Sequence, residues 1–154
     1  MFHIVLFEPE IPPNTGNIIR LCANAGAQLH LIKPLGFSPT DSKLKRAGLD
    51  YHDWTTVQQH DDLTVFMEGV KPARLLACST RGTRNYAEVL YRPGDALLFG
   101  PETRGLPQTL LDTFPKDHVL RIPLRPHNRS LNLSNAVAIV LYEAWRQQEF
   151  AGAD

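Results

Sequence analysis

The chain has 154 residues, enough for one compact domain, and 43% of them are hydrophobic, enough to supply a core. Sixteen basic and sixteen acidic residues cancel, which excludes a global field drawing the molecule onto nucleic acid or anionic lipid. Two cysteines, Cys22 and Cys78, exclude a disulfide scaffold and have no metal-type spacing, and no stretch approaches the roughly 20 apolar residues of a membrane span.

Phe2–Phe7 is an apolar run that predicts a buried strand. The opening MFHIVLFEPE has no basic leader and no small-residue cleavage site, so the expected location is the cytoplasm. Both cysteines sit among apolar residues and read as buried, reduced thiols, which suits that compartment. Pro9, Pro12 and Pro13 force a loop, and Asn14 or Thr15 is placed to cap the next helix. There Ile18, Leu21, Cys22 and Ala25 follow the spacing of a buried face, while Asn17, Arg20 and Asn24 share another. Gly26 supplies the stop, and Gln28–Ile32 reads as a second strand, parallel to the first through a crossover.

The middle of the chain predicts a short basic helix over Asp41–Ala47 and a helix through Leu63–Gly69 capped by Asp61 or Asp62. Strands are expected at Arg74–Cys78, Ala96–Phe99 and Val119–Ile122, a polar loop at Gly82–Tyr86 and a brief helix at Thr109–Phe114. A helix from about Asn132 to Gln148 ends the chain. The fold class is α/β, a single domain over residues 1–154 with a mostly parallel sheet covered by helices on both faces. The last helix is apolar nearly all round at Ala136–Leu141, with Ala144 and Trp145 continuing it. Two readings fit such a helix: a homodimer interface, or a central core helix.

Phosphate-loop, dinucleotide-binding, nucleophile-elbow and zinc-protease motifs are all absent. The six histidines are scattered singly and read as surface or packing residues, so no metal site is expected. What stands out is a pair of polar clusters on apolar supports, LLFGPETRGLP (ending at Pro107) and RSLNLSNAVAIVLYEAW (Arg129–Trp145). Loops of this kind leave backbone N–H groups available to a bound molecule. An inventory of amides, hydroxyls and a few arginines suits chemistry in which a cofactor carries the reactivity and the protein aligns two reactants. Methyl transfer from a sulfonium is such a reaction.

NTGNIIRLCANAG (Asn14–Gly26), LLFGPETRGLP and IPLRPHNRSLNLSNAVAIVLYEAW (Ile122–Trp145) resemble, in this order, the three motifs of the SpoU–TrmD (SPOUT) RNA methyltransferases. The resemblance runs from about Ile4 to Gln148. The short chain is most similar to the minimal members that methylate the 2′-oxygen of the wobble ribose, cytidine or modified uridine, of tRNA. The resemblance implies a C-terminal trefoil knot, which sequence rules alone would never propose. It implies S-adenosyl-L-methionine as cofactor, and a homodimer formed through the first and last helices. Its expected acceptor is the anticodon stem-loop of tRNA, leucine tRNAs in particular, and no membrane partner. Methylation of another tRNA or rRNA site, and a non-catalytic RNA-binding module, are the rival functions.

The resemblance places the cofactor near Cys78, Ser79, Phe99, Gly100, Glu102, Gly105, Ile122, Leu124, Ser130, Leu131, Ser134 and Asn135. Gly100 and Gly105 would let the main chain approach the adenosine, against a plain turn-making role. Ile122, Leu124 and Leu131 would sandwich the adenine or belong to the core. Glu102 would balance the sulfonium, bond the RNA, or stay solvated. Arg20 is the leading catalytic candidate, read as an electrostatic stabiliser of the developing alkoxide because a guanidinium stays protonated. Asn135 and Tyr142, two helical turns apart, share a face and complete the catalytic set, with Tyr142 alternatively a packing residue at the dimer contact. Candidate RNA contacts are Asn14, Asn17, Arg20, Arg46, Arg121, Arg125 and Arg129, with Lys43 and Lys45 beside Arg46, and Arg81 with Arg84 as a further basic pair.

Overall fold

The computed structural model describes residues 1–38, 40–46 and 51–154. Its strands are β1 (His3–Phe7), β2 (Gln28–Ile32), β3 (Gln58–His60), β4 (Leu75–Cys78), β5 (Arg84–Asn85), β6 (Ala96–Phe99) and β7 (Val119–Arg121). The helices are α1 (Pro12–Ala25), α2 (Ser42–Arg46), α3 (Tyr51–Thr55), α4 (Leu63–Val70), α5 (Gln108–Leu111) and α6 (Leu133–Gln147). The strands form one sheet in the order β3-β2-β1-β6-β4-β7-β5, and every pairing is parallel.

Alternate residues of each strand serve different layers. Ile4, Leu6, Leu31, Leu97 and Phe99 join one core with Ile18, Ile19 and Cys22 of α1 and Val137, Val140, Leu141 and Ala144 of α6. Val5, Ile32, Ala77 and Leu98 join the other with Phe66 of α4 and Leu111 of α5. Both faces are covered, which is why β1 and β6 read as continuous apolar runs rather than alternating ones.

Several predicted boundaries shift. Helix α1 begins at Pro12 with Ile11 as its N-cap, so neither Asn14 nor Thr15 caps it. Proline suits the first helical turn, where its missing N–H leaves no bond unmade. Gly26 ends the helix in the left-handed conformation, as expected. Asp62, not Asp61, caps α4 by accepting from Val65 N–H at 2.8 Å. The predicted helix over residues 41–47 is present as Ser42–Arg46, and Ala47 lies outside the described residues. Strands β3 and β5 were not expected. Both are short, polar and at a sheet edge, where no apolar pattern is needed.

Three of the histidines are not single. His3 Nδ1 lies 2.9 Å from His30 Nε2, and His30 Nδ1 lies 3.0 Å from His60 Nε2. Adjacent strands β1, β2 and β3 bring together residues that are far apart in the sequence. Burial, then the neighbouring His3 and His60, push His30 down to about 3.

Helix α6 buries Leu133, Val137, Val140, Leu141 and Ala144 and exposes Asn135, Tyr142 and Arg146. The apolar stretch Ala136–Leu141 has no exposed residue, whereas Tyr142 beyond it is 39% exposed. Tyr142 stacks edge-on against Trp145 at 5.4 Å. Among the described residues no helix is long and apolar enough to cross a membrane, and no cluster of histidine, cysteine or carboxylate side chains could hold a metal ion.

Candidate functional site

A cavity of about 360 Å³ opens beyond the C-terminal ends of β4, β6 and β7. That is where ligands bind in open parallel sheets, and the volume lies in the range of roughly 300–1,000 Å³ usual for small-molecule sites. Three stretches form its wall: 78–81 after β4, 99–106 after β6, and 122–136 running from β7 into α6. Of the expected cofactor residues, Cys78, Ser79, Phe99, Gly100, Glu102, Gly105, Ile122, Leu124, Ser130 and Leu131 line it. Ser134 and Asn135 do not. They sit in the first turn of α6, where their N–H groups donate to Asn132 Oδ1, which caps the helix. Arg81, Leu106, Leu133 and Ala136 also line the cavity and were not singled out as cofactor residues.

The wall combines apolar side chains, Phe99, Ile122, Leu124, Leu131 and Leu133, with main-chain bends and the hydroxyls of Ser79, Thr80 and Thr103. This combination fits a nucleoside with a polar tail. Burial pushes the Cys78 thiol up to about 12, so it is an uncharged wall group rather than a nucleophile.

The two glycines differ in kind. A Cβ on Gly100 would sit 2.5 Å from the Gly105 carbonyl carbon and closer still to Leu106 N. Gly100 therefore lets the 101–106 turn fold back on itself. Gly105 has φ +67°, and a Cβ there would meet no protein atom within 4 Å. It is the glycine that faces open space at the cavity.

The stretch 79–83 crosses the C-terminal end of β7. Ser79 N–H donates to Leu120 O at 3.0 Å, and Arg121 donates to Thr80 O at 2.6 Å. A Cβ on Gly82 would lie 2.6 Å from the Leu120 carbonyl carbon, so only glycine fits the crossing. Arg81 reaches across to Leu106 O and to Gln108 Oε1 (2.9 Å), and Arg84 to Asp117. This pair is engaged in holding the fold, not presented together as a basic surface.

The expected catalytic and RNA-contacting residues lie outside the cavity wall. Asn17, Arg20, Arg46, Arg121, Arg125 and Arg129 are exposed, and Arg20 is on the outer face of α1 beside Asn17. Asn14 departs from expectation: it is 7% exposed, donates to Glu102 at 3.3 Å and accepts from Asn132 Nδ2 at 3.1 Å. Its amide ties the second motif to the third. Glu102 is not solvated either, since its oxygens accept from the N–H groups of Glu10 (2.9 Å) and Ile11 (2.7 Å).

The model of the SpoU rRNA Methylase family matches residues 1–142. Over 153 residues the chain is 58% identical to the tRNA (cytidine(34)-2′-O)-methyltransferase of Escherichia coli strain K12, covering 99% of this chain and 98% of that one. A solved structure from work on "2-OH methylation of C/U34 on tRNA" superposes with a TM-score of 0.87 at 49% identity, covering 97% of each chain. The AdoMet-bound rRNA methyltransferase of Sinorhizobium meliloti superposes with a TM-score of 0.78 at 26% identity, covering 94% of this chain and 56% of that one.

Proposed function

This chain belongs to the SpoU rRNA Methylase family, and on that premise we propose that it methylates the ribose 2′-oxygen of wobble nucleotide 34, cytidine or uridine, in tRNA. S-adenosylmethionine is the methyl donor, as in the AdoMet-bound relative. The observation that carries the reading is one cavity walled by two of the three motif stretches, with the first motif tied to both of them through Asn14.

When bound, the donor supplies an electrophilic methyl group on a sulfonium, and the protein has only to align and activate an oxygen. Phe99, Ile122, Leu124 and Leu131 offer the adenine an apolar sandwich, and Ser79 and Ser130 offer hydroxyls. Gly105 leaves room for close approach of the adenosine, while Gly100 shapes the turn that makes this room. Arg20 holds the negative charge that builds as the 2′-hydroxyl loses its proton, which passes to a phosphate or a water. Asn135 and Tyr142, on the exposed side of α6, position the ribose. Asn17, Arg46, Arg121, Arg125 and Arg129 track the phosphates of the anticodon stem-loop despite the zero net charge.

The same reading makes residues 1–154 one methyltransferase domain with a knotted C-terminus. Its support is that β4 and β5 flank β7, so stretch 79–83 must pass over the chain that leaves β7 toward α6. It makes the active unit a homodimer, supported by the adjoining exposed faces of α1 and α6, which pack side by side. Two cysteines without a disulfide suit the cytoplasm. Leucine tRNAs are the acceptors to try first.

Incubation with methyl-labelled donor and bulk tRNA, followed by digestion and mapping, is expected to put the label on the 2′-oxygen of nucleotide 34. A tRNA carrying 2′-deoxyribose at that nucleotide should take none. Label elsewhere, or RNA binding without transfer, would contradict the assignment.

A further inference from the structure

Two glutamates on loops far apart in the sequence each hold the backbone of the other's loop. Glu102, on the turn after β6, accepts from the N–H groups of Glu10 and Ile11 and from Asn14 Nδ2. Glu10, in the loop before α1, accepts from Thr103 N–H at 2.9 Å and from the Thr103 hydroxyl at 2.8 Å. The two Thr103 bonds hold the Glu10 carboxyl below the usual carboxylate range. Arg104 adds an ion pair to Glu8 at 3.2 Å.

The sheet does not need these bonds to close, because β1 and β6 are already paired from His3 through Leu6. What they fix is the entry to helix α1, at Glu10 and at the N-cap Ile11. Its first two residues are prolines, which donate nothing, and its N-cap Ile11 has no side-chain acceptor. The start of the helix is therefore fixed from outside, by a carboxylate that belongs to the cavity wall. Glu102, Thr103 and Arg104 line the cavity, whereas residues 8–20 do not. Between the ligand space and the helix that carries Asn17 and Arg20, the crossed carboxylates are a direct polar connection, beside the apolar packing of α1 on α6.

We propose that Glu10 and Glu102 are positioning residues whose crossed clamps couple filling of the cavity to the placement of the helix bearing Arg20. The proposal rests on the methyl-transfer reading for the identity of the ligand. A ligand that orders the 101–104 turn orders the start of α1, and by reciprocity RNA seated on α1 raises affinity for the donor by the same factor, about fivefold or more. Glu10 is the cleaner lever, because it does not line the cavity.

Hydrogen exchange on the full chain, with S-adenosylhomocysteine added and its binding followed by calorimetry in the same samples, tests this. In the wild type, peptides covering residues 8–17 should gain protection along with the cavity loops. In Glu10→Gln the cavity loops should still gain it, donor KM should stay within about twofold, and kcat should fall roughly tenfold or more, the usual factor for a lost charge-assisted hydrogen bond. Protection confined to the cavity loops in the wild type overturns the coupling, as does full protection of residues 8–17 or full kcat in Glu10→Gln. A wild type that binds no S-adenosylhomocysteine overturns the donor reading and this proposal with it, and calorimetry identifies that case separately.

Discussion

Replacing Gly100 by alanine is the sharpest packing test of the cavity wall. The new Cβ would stand 2.5 Å from the Gly105 carbonyl carbon, 2.9 Å from Gly105 Cα, and nearer still to Leu106 N. All three are backbone atoms, so no side-chain rotation relieves the clash. The 101–106 turn has to swing outward, and Leu106, only 1% exposed in the core shared with Phe66 and Leu111, has to follow. Overpacking costs about 1–3 kcal/mol, and partial withdrawal of one leucine adds about 1 kcal/mol or more. The expected loss is about 2–4 kcal/mol, a drop in Tm of roughly 5–15 °C for a domain of this size. Gly105→Ala is the matched control. Its φ of +67° costs an alanine about 1 kcal/mol, but its Cβ meets no protein atom, so Tm should move by only about 2–4 °C. That Cβ instead takes ligand space, and S-adenosylhomocysteine affinity should fall. Thermal unfolding by circular dichroism, with calorimetry for the ligand, reads both variants. A Gly100→Ala protein melting within about 2 °C of wild type would refute the crowding argument.

Arg20→Ala should abolish turnover while leaving donor affinity within about threefold, since Arg20 lies outside the cavity wall; single-turnover kinetics and calorimetry check it, and retained activity contradicts the role. The histidine chain predicts acid lability. His30 is about 3 when folded against 6.5 when free, so the unfolded chain binds more protons between those values. Its stabilising contribution is complete above pH 6.5, is lost as pH falls toward 3, and in urea titrations at pH 7 and 5 should amount to about 1–2 kcal/mol. His30→Leu should flatten that dependence, and an unchanged slope would dismiss the chain as its source. Asp95, 0% exposed, accepts from Arg74 at 2.6 Å and 3.0 Å and from Arg92 N–H at 2.8 Å. Asp95→Asn leaves the guanidinium without its anion, and denaturation should register a loss of about 3 kcal/mol.

Elements that bury a face were readable from the sequence. Ile18, Cys22 and Ala25 declared α1, and the unbroken run of Ala96–Phe99 declared a strand covered on both sides. Edge strands β3 and β5 were not, because Gln58 and Arg84 bury little and carry no period. At the cavity, the loops were legible as glycine and proline breaks next to hydroxyls. Relations between loops were not. Nothing local to Glu102 says that it holds the entry to a helix more than eighty residues earlier, or that Asn14 turns inward to meet Asn132. The histidines looked single for the same reason, since strand order, not spacing, aligns His3, His30 and His60.

One enclosure carries the proposed chemistry: a sulfonium donor held among the stretches that follow β4, β6 and β7. A crystal structure of the protein with S-adenosylhomocysteine bound tests it most directly. Adenine density between Leu131 and the 99–106 turn, with Gly105 against the ligand, is the predicted result. Density at any other place on the molecule, with this cavity empty at saturating ligand, would contradict it.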